Sequence, residues 1–242
     1  ASTDFFDMLK QSDVFPTTSQ ISPAAFEQAF REELQTHETL IVVTLSSKGS
    51  GTYQSACIAR DLVLEDMPEA DIVLIDSLSF CSGYGMIVVE AAQMLKDGCT
   101  KQEIIDHITN SCANLEIYIL ADTLEYLKKG GRVSNIAALI GGMLNIRPIL
   151  TVRDGMVASK GKLRGNKNIM PRFIEEIQQD GYDFSNTILV IAHGAAPEKA
   201  AEFKQLAQLH LKPKGFYEAE LGCVIGAHTG PGVMAAFFVK TT

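Results

Sequence analysis

The sequence lacks any apolar run long enough to cross a lipid bilayer. Its apolar stretches, such as those at residues 41–45 and 137–146, fall well short of the ~20 residues that a transmembrane helix needs. The N-terminus shows neither the basic, apolar and small-residue succession of a secretory signal nor an acid-poor transit segment. We therefore expect a cytoplasmic protein without stable membrane insertion.

The sequence also lacks the spacing patterns of common metal and disulfide sites. Its 5 cysteines include no C-x-x-C pair, and their odd number argues against a disulfide framework as well as a zinc site. No H-E-x-x-H motif occurs among the 5 histidines. We expect no bound metal, and free thiols within the core, because free cysteine is among the most buried residue types.

Positive charge is scarce over the chain as a whole. The 29 acidic and 21 basic residues give a formal net charge of -8, whereas a nucleic-acid-binding protein needs a basic face to neutralise phosphates. The charge therefore argues against nucleic acid as a partner. Many of the basic residues are concentrated between residues 128 and 167, so a local basic patch remains compatible with the acidic total.

What is present is an alternation of strand and helix patterns. Continuous apolar runs predict buried strands at residues 39–45, 71–76 and 116–121. Helical spacing of apolar residues and helix-start signals predict helices at residues 24–35, 52–65, 83–96 and 100–112. Such alternation implies a parallel sheet, with ligands favoured at the carboxyl ends of its strands.

The pattern changes from about residue 146. An Asp-Gly pair at 154–155 predicts a hairpin between residues 148–152 and 156–159, because this pair supplies the positive φ angles of a tight hairpin turn. Further helices are expected at 168–179 and 198–209, and strands at 187–192, 215–221 and 233–239. We predict an α/β protein with a parallel-sheet α/β/α domain at residues 1–145 and a second α/β domain with a mixed sheet at residues 146–242.

A Gly-Ser-Gly turn at residues 49–51 joins the first predicted strand to a helix. A helix N-terminus presents unpaired amides and partial positive charge, so the turn suits an anion, and Ser50 adds a hydroxyl. Ser50 can equally cap the helix, and the two roles are compatible. A dinucleotide site is a rival interpretation, with Asp76 as the ribose-binding acid. Gln54 stands where that motif needs a third glycine, and no Walker A pattern occurs.

A hydrolase or transferase that uses Ser50 as nucleophile and His228 as base is the alternative enzymatic interpretation. The chain has no G-x-S-x-G elbow, and the sequence indicates no acid that would orient His228. His228 lies in a glycine-rich segment that we expect to be a loop. It is either an ordinary loop histidine or a hydrogen-bonding partner of a ligand.

Five motifs in order resemble the DegV family over essentially the whole chain. They are Thr-Thr-Ser-Gln at 17–20, Ser-Gly-Thr-Tyr-Gln-Ser-Ala at 50–56, Tyr-Leu-Lys-Lys-Gly-Gly-Arg-Val-Ser at 126–134, Ile-Arg-Pro-Ile-Leu at 146–150 and His-Thr-Gly-Pro-Gly at 228–232. The sequence departs from the family pattern in having Arg147 where lysine is usual, and Ile21 and Gly49 beside two motifs. It also lacks the N-terminal strand with a Thr-Asp-Ser motif that family chains carry upstream of Thr18, so one strand of the parallel sheet is expected to be missing.

The resemblance implies a two-domain DegV-like carrier that holds one long-chain fatty acid, such as palmitate, stearate or oleate. Thr18 and Ser50 would hold the carboxylate, with Ser19, Gly51 and His228 contributing at the same site. The family carriers present the acid to a separate fatty acid kinase for phospholipid synthesis. The resemblance therefore implies a protein with no catalytic residues and no cofactor, acting as a monomer or weak homodimer.

Four residues of the basic segment are predicted to serve the partner kinase. They are Lys128, Lys129, Arg132 and Arg164. A net acidic protein that keeps a local positive patch can steer docking onto an acidic surface. The alternative is that these residues form an ordinary solvated face.

Overall fold

The fold is described from a computed structural model of the protein. The structure describes residues 2–12, 15–133, 146–165 and 167–240, without the side chains of residues 2 and 3. Most of the apolar stretch at residues 137–146 thus lies outside the described residues. None of the helices within these ranges combines the length and the apolar character that crossing a membrane requires.

Helices and strands alternate through most of the described chain. The helices are α1 (Ser2–Gln11), α2 (Pro23–Glu33), α3 (Thr52–Asp66), α4 (Ser82–Lys96), α5 (Lys101–Ala113), α6 (Glu125–Gly130), α7 (Ile169–Gln179), α8 (Pro197–His210) and α9 (Cys223–Thr229). The strands are β1 (Thr39–Thr44), β2 (Asp71–Asp76), β3 (Leu115–Leu120), β4 (Ile146–Arg153), β5 (Met156–Arg164), β6 (Ile188–His193), β7 (Gly215–Glu220) and β8 (Met234–Val239). Every strand and helix predicted above is present, with ends that differ by a few residues, whereas α1, α6 and α9 were not predicted.

The chain divides into two compact units. The larger unit comprises Ala1–Thr18, Cys81–Gly83 and Asn114–Thr242, and the smaller unit comprises Ser19–Phe80 and Tyr84–Ala113. The predicted boundary between residues 145 and 146 differs from this division, which already assigns the chain from Asn114 onward to the larger unit.

The smaller unit contains the parallel pair that the sequence predicts. β1 runs parallel to β2, from the pair Thr39 and Asp71 to the pair Thr44 and Asp76. α2 begins where expected, because the Ser22 hydroxyl accepts a hydrogen bond from the Ala25 amide at 3.2 Å and Pro23 occupies the first turn. The two helices α2 and α3 and one face of the strands enclose a small apolar core, formed by Phe30, Ala56, Ala59, Val63 and Ile72.

The larger unit contains a six-stranded mixed sheet in the order β5-β4-β3-β8-β6-β7. β3 is antiparallel to both of its neighbours, β4 and β8, so the prediction that this strand continues the parallel sheet was wrong. The last four residues of β3 are buried. A strand at the centre of a mixed sheet can be as apolar as one in a parallel sheet, and the apolar run alone did not identify its neighbours.

The core of the larger unit is rich in aromatic side chains. Phe173 of α7 lies 5.8 Å from Phe203 of α8 between ring centroids, and Tyr118 of β3 stacks on Phe238 of β8 at 6.0 Å. The predicted hairpin joins β4 to β5, and its turn residues have the required positive φ angles of 50° at Asp154 and 76° at Gly155. The small parallel sheet and the larger mixed sheet agree with the fold class predicted from the sequence.

Candidate functional site

His228 and Thr18 meet in the larger unit. His228 lies in the last turn of α9, and its Nε2 atom is 2.8 Å from the hydroxyl of Thr18, a residue outside the helices and strands. The prediction that His228 lies in a loop was therefore wrong. Glycines suggested the loop, but Gly226 is required by packing, because a Cβ atom there would come within 2.8 Å of the Phe6 ring of α1.

The surroundings of the His228 ring favour its neutral form. Burial, followed by the positive charge of Arg132, lowers the pKa of His228 from its ordinary value. Its Nδ1 atom is buried and has no hydrogen-bond partner among the residues that the structure describes. Gly130, at the end of α6, lies against this atom, since a Cβ at that position would come within 2.4 Å of Nδ1. No larger residue fits there without a shift of the imidazole.

Ser50 belongs to a tight turn at the carboxyl end of β1 in the smaller unit. The backbone amides of Gly49 and Ser50 both donate to the Ser46 carbonyl at 3.1 Å. The Ser50 hydroxyl lies 2.9 Å from the Thr52 hydroxyl and accepts from the Thr52 amide at 3.3 Å. The N-cap residue of α3 is Gly51, which makes no side-chain cap, so Ser50 contacts the first turn of α3 without being its N-cap residue.

Gln20 connects the Thr-Thr-Ser-Gln motif to α3 within the smaller unit. Its amide nitrogen donates to the Ser55 hydroxyl at 3.0 Å. A Cβ atom at Gly51 would lie only 1.9 Å from the Gln20 side-chain oxygen, so the absence of a side chain at Gly51 allows this position of the Gln20 amide. Ser19, next to Gln20, is exposed. Gln20 and Ser55 were not predicted as site residues, although both belong to motifs shared with the family.

Asp76, the acid considered for a ribose, has another role in the structure. Its carboxylate accepts hydrogen bonds from the amides of Ser47 at 3.1 Å and Leu78 at 3.0 Å. These bonds tie the turn after β1 to the turn after β2. Together with Gln54 in place of the third glycine, this engagement gives the dinucleotide interpretation no support.

The four predicted partner residues all belong to the larger unit and are exposed. Lys129 pairs with Glu125 at 2.8 Å and lies over the Phe15 ring, and Arg132 donates to the Gly130 carbonyl at 2.7 Å. Lys129 is thus partly neutralised by its neighbour on α6.

Among the described residues, no group of three or more histidine, cysteine or acidic side chains is placed to hold a metal ion. The cysteines are free thiols, four of them half-buried and Cys223 exposed, so the expectation that they lie in the core was wrong for Cys223. Burial raises the pKa of the Cys81 thiol to about 11.

The protein thus has two α/β units. The larger unit places the Thr18 hydroxyl beside His228, and the smaller unit places the Ser50 hydroxyl beside the N-terminus of α3. The family model DegV, described as "Uncharacterised protein, DegV family", matches residues 1–241. The chain belongs to the DegV family, which confirms the resemblance seen in the sequence.

Curated relatives and solved structures agree with this assignment. A DegV domain-containing protein of Caldanaerobacter subterraneus subsp. tengcongensis is 36% identical over 97% of this chain and 82% of the relative. One of Clostridium perfringens is 35% identical over 98% of this chain and 82% of its own length.

Three similar solved structures are of fatty-acid-binding proteins or of a protein with a fatty acid. A fatty-acid-binding DegV family protein from Thermus thermophilus has a TM-score of 0.87 and 28% identity, covering 99% of this chain and 84% of its own. A DegV family protein from Ruminococcus gnavus with vaccenic acid has a TM-score of 0.88 and 25% identity, covering 98% and 84%. A stearic-acid-binding protein from Eubacterium ventriosum has a TM-score of 0.87 and 25% identity, covering 99% and 83%.

Proposed function

We propose that this protein is a non-catalytic carrier that binds one long-chain fatty acid. Thr18 and Ser50 hold the carboxylate, and Ser19, Gly51 and His228 contribute at the same site. The observation that carries the proposal is the Thr18 hydroxyl paired with a neutral histidine, in a fold shared with proteins that bind vaccenic and stearic acid.

The neutral state of His228 supports the role of Thr18 as a donor. The buried Nδ1 atom has no acceptor among the described residues, so a proton on that nitrogen would be an unpaired buried donor, which is costly. The proton is therefore better placed on Nε2, where it is donated to the Thr18 oxygen. The Thr18 hydroxyl hydrogen is then available for a carboxylate oxygen.

The turn at Ser50 supports a second donor. Of the paired hydroxyls of Ser50 and Thr52, one donates to the other, which leaves one hydroxyl hydrogen for a ligand. The N-terminus of α3 adds partial positive charge at Gly51, which favours an anion there. Hydroxyls and amides can thus satisfy a carboxylate without a lysine.

The acyl chain supplies most of the expected affinity. Burial of a chain gains about 0.8 kcal/mol per methylene, or roughly 11 kcal/mol for a sixteen-carbon acid before ordering costs. An unpaired buried carboxylate would offset part of that gain. Each charge-assisted hydrogen bond to the head group contributes about 1.5 to 3 kcal/mol, so Thr18 and Ser50 act on both affinity and position.

The alternative, a hydrolase or transferase using Ser50 and His228, has less support. A histidine base of that kind is oriented by an acid on its second nitrogen. Among the described residues no such acid bonds His228 Nδ1. A base with a buried, unpaired second nitrogen suits a fixed neutral ring better than one that gains a proton during turnover.

Extraction of the purified chain with organic solvent, followed by mass spectrometry, tests the proposal. We expect one fatty acid per protein, either as purified or after incubation with palmitate. A chain that retains no lipid under both conditions would contradict the carrier function.

The partner in this proposal is a fatty acid kinase that phosphorylates the bound acid for phospholipid synthesis in the cytoplasm. Lys128, Lys129, Arg132 and Arg164 form the docking surface, on a carrier that is a monomer or weak homodimer. Charge reversal by Arg132→Glu with Arg164→Glu is expected to abolish phosphorylation and leave the fatty-acid content normal. The matched control is Lys212→Glu with Lys214→Glu, two exposed lysines of the same unit. Loss of lipid from the arginine variant would instead assign these arginines to the ligand pocket.

A further inference from the structure

An open cleft of about 330 Å³ lies within the larger unit, apart from the residues of the proposed fatty-acid site. Four charged residues line it, namely Asp122, Arg147, Lys199 and Glu202. They come from the end of β3, the start of β4 and the first turns of α8. The first turn of α7 and Leu120 complete the lining, so charged groups face a partly apolar wall.

Two cations share one carboxylate in this cleft. Arg147 Nη1 donates to Asp122 Oδ1 at 2.8 Å and to the Asp122 carbonyl at 2.9 Å. The Lys199 ammonium donates to Asp122 Oδ2 at 2.6 Å and to the Gly232 carbonyl at 2.8 Å. A Cβ atom at Gly232 would lie 2.3 Å from Asp122 Oδ2, so glycine permits this arrangement. Asp122 neutralises one of the two positive charges.

Arg147 and Lys199 have more hydrogen-bond donors than these bonds use. A guanidinium carries five N–H groups and an ammonium three, and the bonds to Asp122 and Gly232 use only part of them. About one third of each cationic side chain is exposed, 31% for Arg147 and 34% for Lys199. An incoming group can therefore reach both without breaking their bonds to Asp122.

The N-terminus of α7 adds backbone donors to the same cleft. Its first intrahelical bond runs from the Arg172 amide to the Asn168 carbonyl. The amides of Ile169 and Met170 precede that bond, and Asn168 has a left-handed backbone and makes no side-chain cap. Such uncapped amides favour an oxyanion. A helix N-terminus, a guanidinium and an ammonium thus face one cleft.

We propose that this cleft binds a small organic molecule through an oxyanion, a carboxylate or a phosphate, held by Arg147, Lys199 and the first turn of α7. Arg147 suits this role because its planar guanidinium can donate two parallel bonds to such a group. Glu202 lies one turn after Lys199 and repels a bare anion. The fourth charge therefore favours a ligand that also carries a hydroxyl or ammonium group. The apolar lining, which includes Leu120 and Met170, leaves room for its carbon skeleton.

Amide NMR spectra of the full chain, titrated with inorganic phosphate, acetate and O-phosphoserine, test this inference. The Ile169 and Met170 amides are expected to shift saturably with at least one probe, at dissociation constants of about 1 mM or below. A response to phosphate compounds but not acetate identifies a phosphate ligand, and the reverse identifies a carboxylate. Absence of any saturable shift overturns the proposal.

Two variants and a control sharpen the test. Lys199→Met is expected to weaken probe binding roughly tenfold, because one charge-assisted hydrogen bond is lost. Lys204→Met removes the same charge from α8 at a lysine that pairs with Glu218, and it should leave binding unchanged. Equal weakening by both would overturn the proposal in favour of general surface charge.

Glu202→Gln keeps the test decisive if Lys199→Met does not fold, since Glu202 is exposed. This variant should tighten phosphate binding, because a repelling charge is removed, and weaker binding would contradict the site. Fatty-acid content, measured on the same samples, should not change. A loss of fatty acid would count against the proposed carrier site, whereas the anion titrations alone decide whether the cleft binds an oxyanion.

Discussion

The parallel sheet of the smaller unit and the mixed sheet of the larger unit are built from similar apolar runs, yet their strands are buried to different degrees. Only Thr44 is buried in β1, whereas the first five of six residues are buried in β8. One unit packs small residues such as Ala56 and Ala59 against a strand pair, and the other packs aromatic rings across a wide sheet. An apolar run therefore predicts a strand, but not how completely that strand is covered.

The units also hold their candidate hydroxyl groups differently. In the larger unit, Thr18 is paired with the side chain of His228, which can change its protonation state. In the smaller unit, Ser50 is held by backbone bonds to Ser46 and by the neighbouring Thr52, none of which titrates near neutral pH. The hydrogen bonding of Thr18 therefore depends on pH, whereas the position of Ser50 depends on the backbone conformation of its turn.

Core truncation is expected to give the largest difference between the units. Phe203→Ala should lower the free energy of unfolding by about 3 to 5 kcal/mol, because a fully buried ring is replaced by a cavity. Phe30→Ala removes the matching ring from the smaller unit, where half-buried neighbours can close around the gap, so its cost should fall at or below about 3 kcal/mol. Urea denaturation measures both. An equal or larger loss from Phe30→Ala would remove the energetic distinction between the two cores.

Protonation of His228, which lies in the larger unit, is expected to have a smaller effect. The folded state holds the pKa of His228 below its usual value of 6.5. Between the unfolded-state pKa, about 6.5, and the lower folded-state pKa, the unfolded chain binds more protons at this residue than the folded chain does. The free energy of unfolding therefore falls as the pH falls through this interval. His228→Gln, which keeps a donor toward Thr18, should reduce that dependence.

NMR titration of the His228 ring measures the shift directly, with the same variant to assign the signal. The titration midpoint of the ring is expected to lie below the usual histidine value of about 6.5. A midpoint at or above the usual value would contradict the neutral ring, and with it the donor role assigned to Thr18.

The sequence predicted local elements well wherever one short segment determines them. The Thr100 and Glu103 capping box is present, with the Thr100 amide donating to Glu103 at 2.7 Å and the Glu103 amide donating to Thr100 at 3.3 Å. The Asp-Gly hairpin and the helix start at Ser22 were predicted for the same reason. In each case the residues that form the cap or the turn lie within four positions of one another in the sequence.

Features that depend on distant residues were not predicted. The neighbours of β3 come from residues 149–150 and 234–239, and nothing in its apolar run identifies them. The glycines around His228 indicated a loop. The close approach of Gly226 to Phe6, more than 200 residues away in the chain, is not visible in the sequence. The family resemblance, and not the spacing of residues, brought Thr18, Ser50 and His228 together as site candidates, and their joint role stays a prediction.

The most direct test of the carrier proposal is titration of the delipidated protein with palmitate. Thr18→Ala combined with Ser50→Ala should weaken binding by about 3 kcal/mol, on the order of 100-fold, because two hydrogen bonds to a charged group are lost. The control, Thr17→Ala with Ser47→Ala, removes the same two hydroxyl types from neighbouring positions and should leave the affinity unchanged. If the Thr18 and Ser50 variant folds normally and binds palmitate as tightly as the control, the carboxylate is held elsewhere.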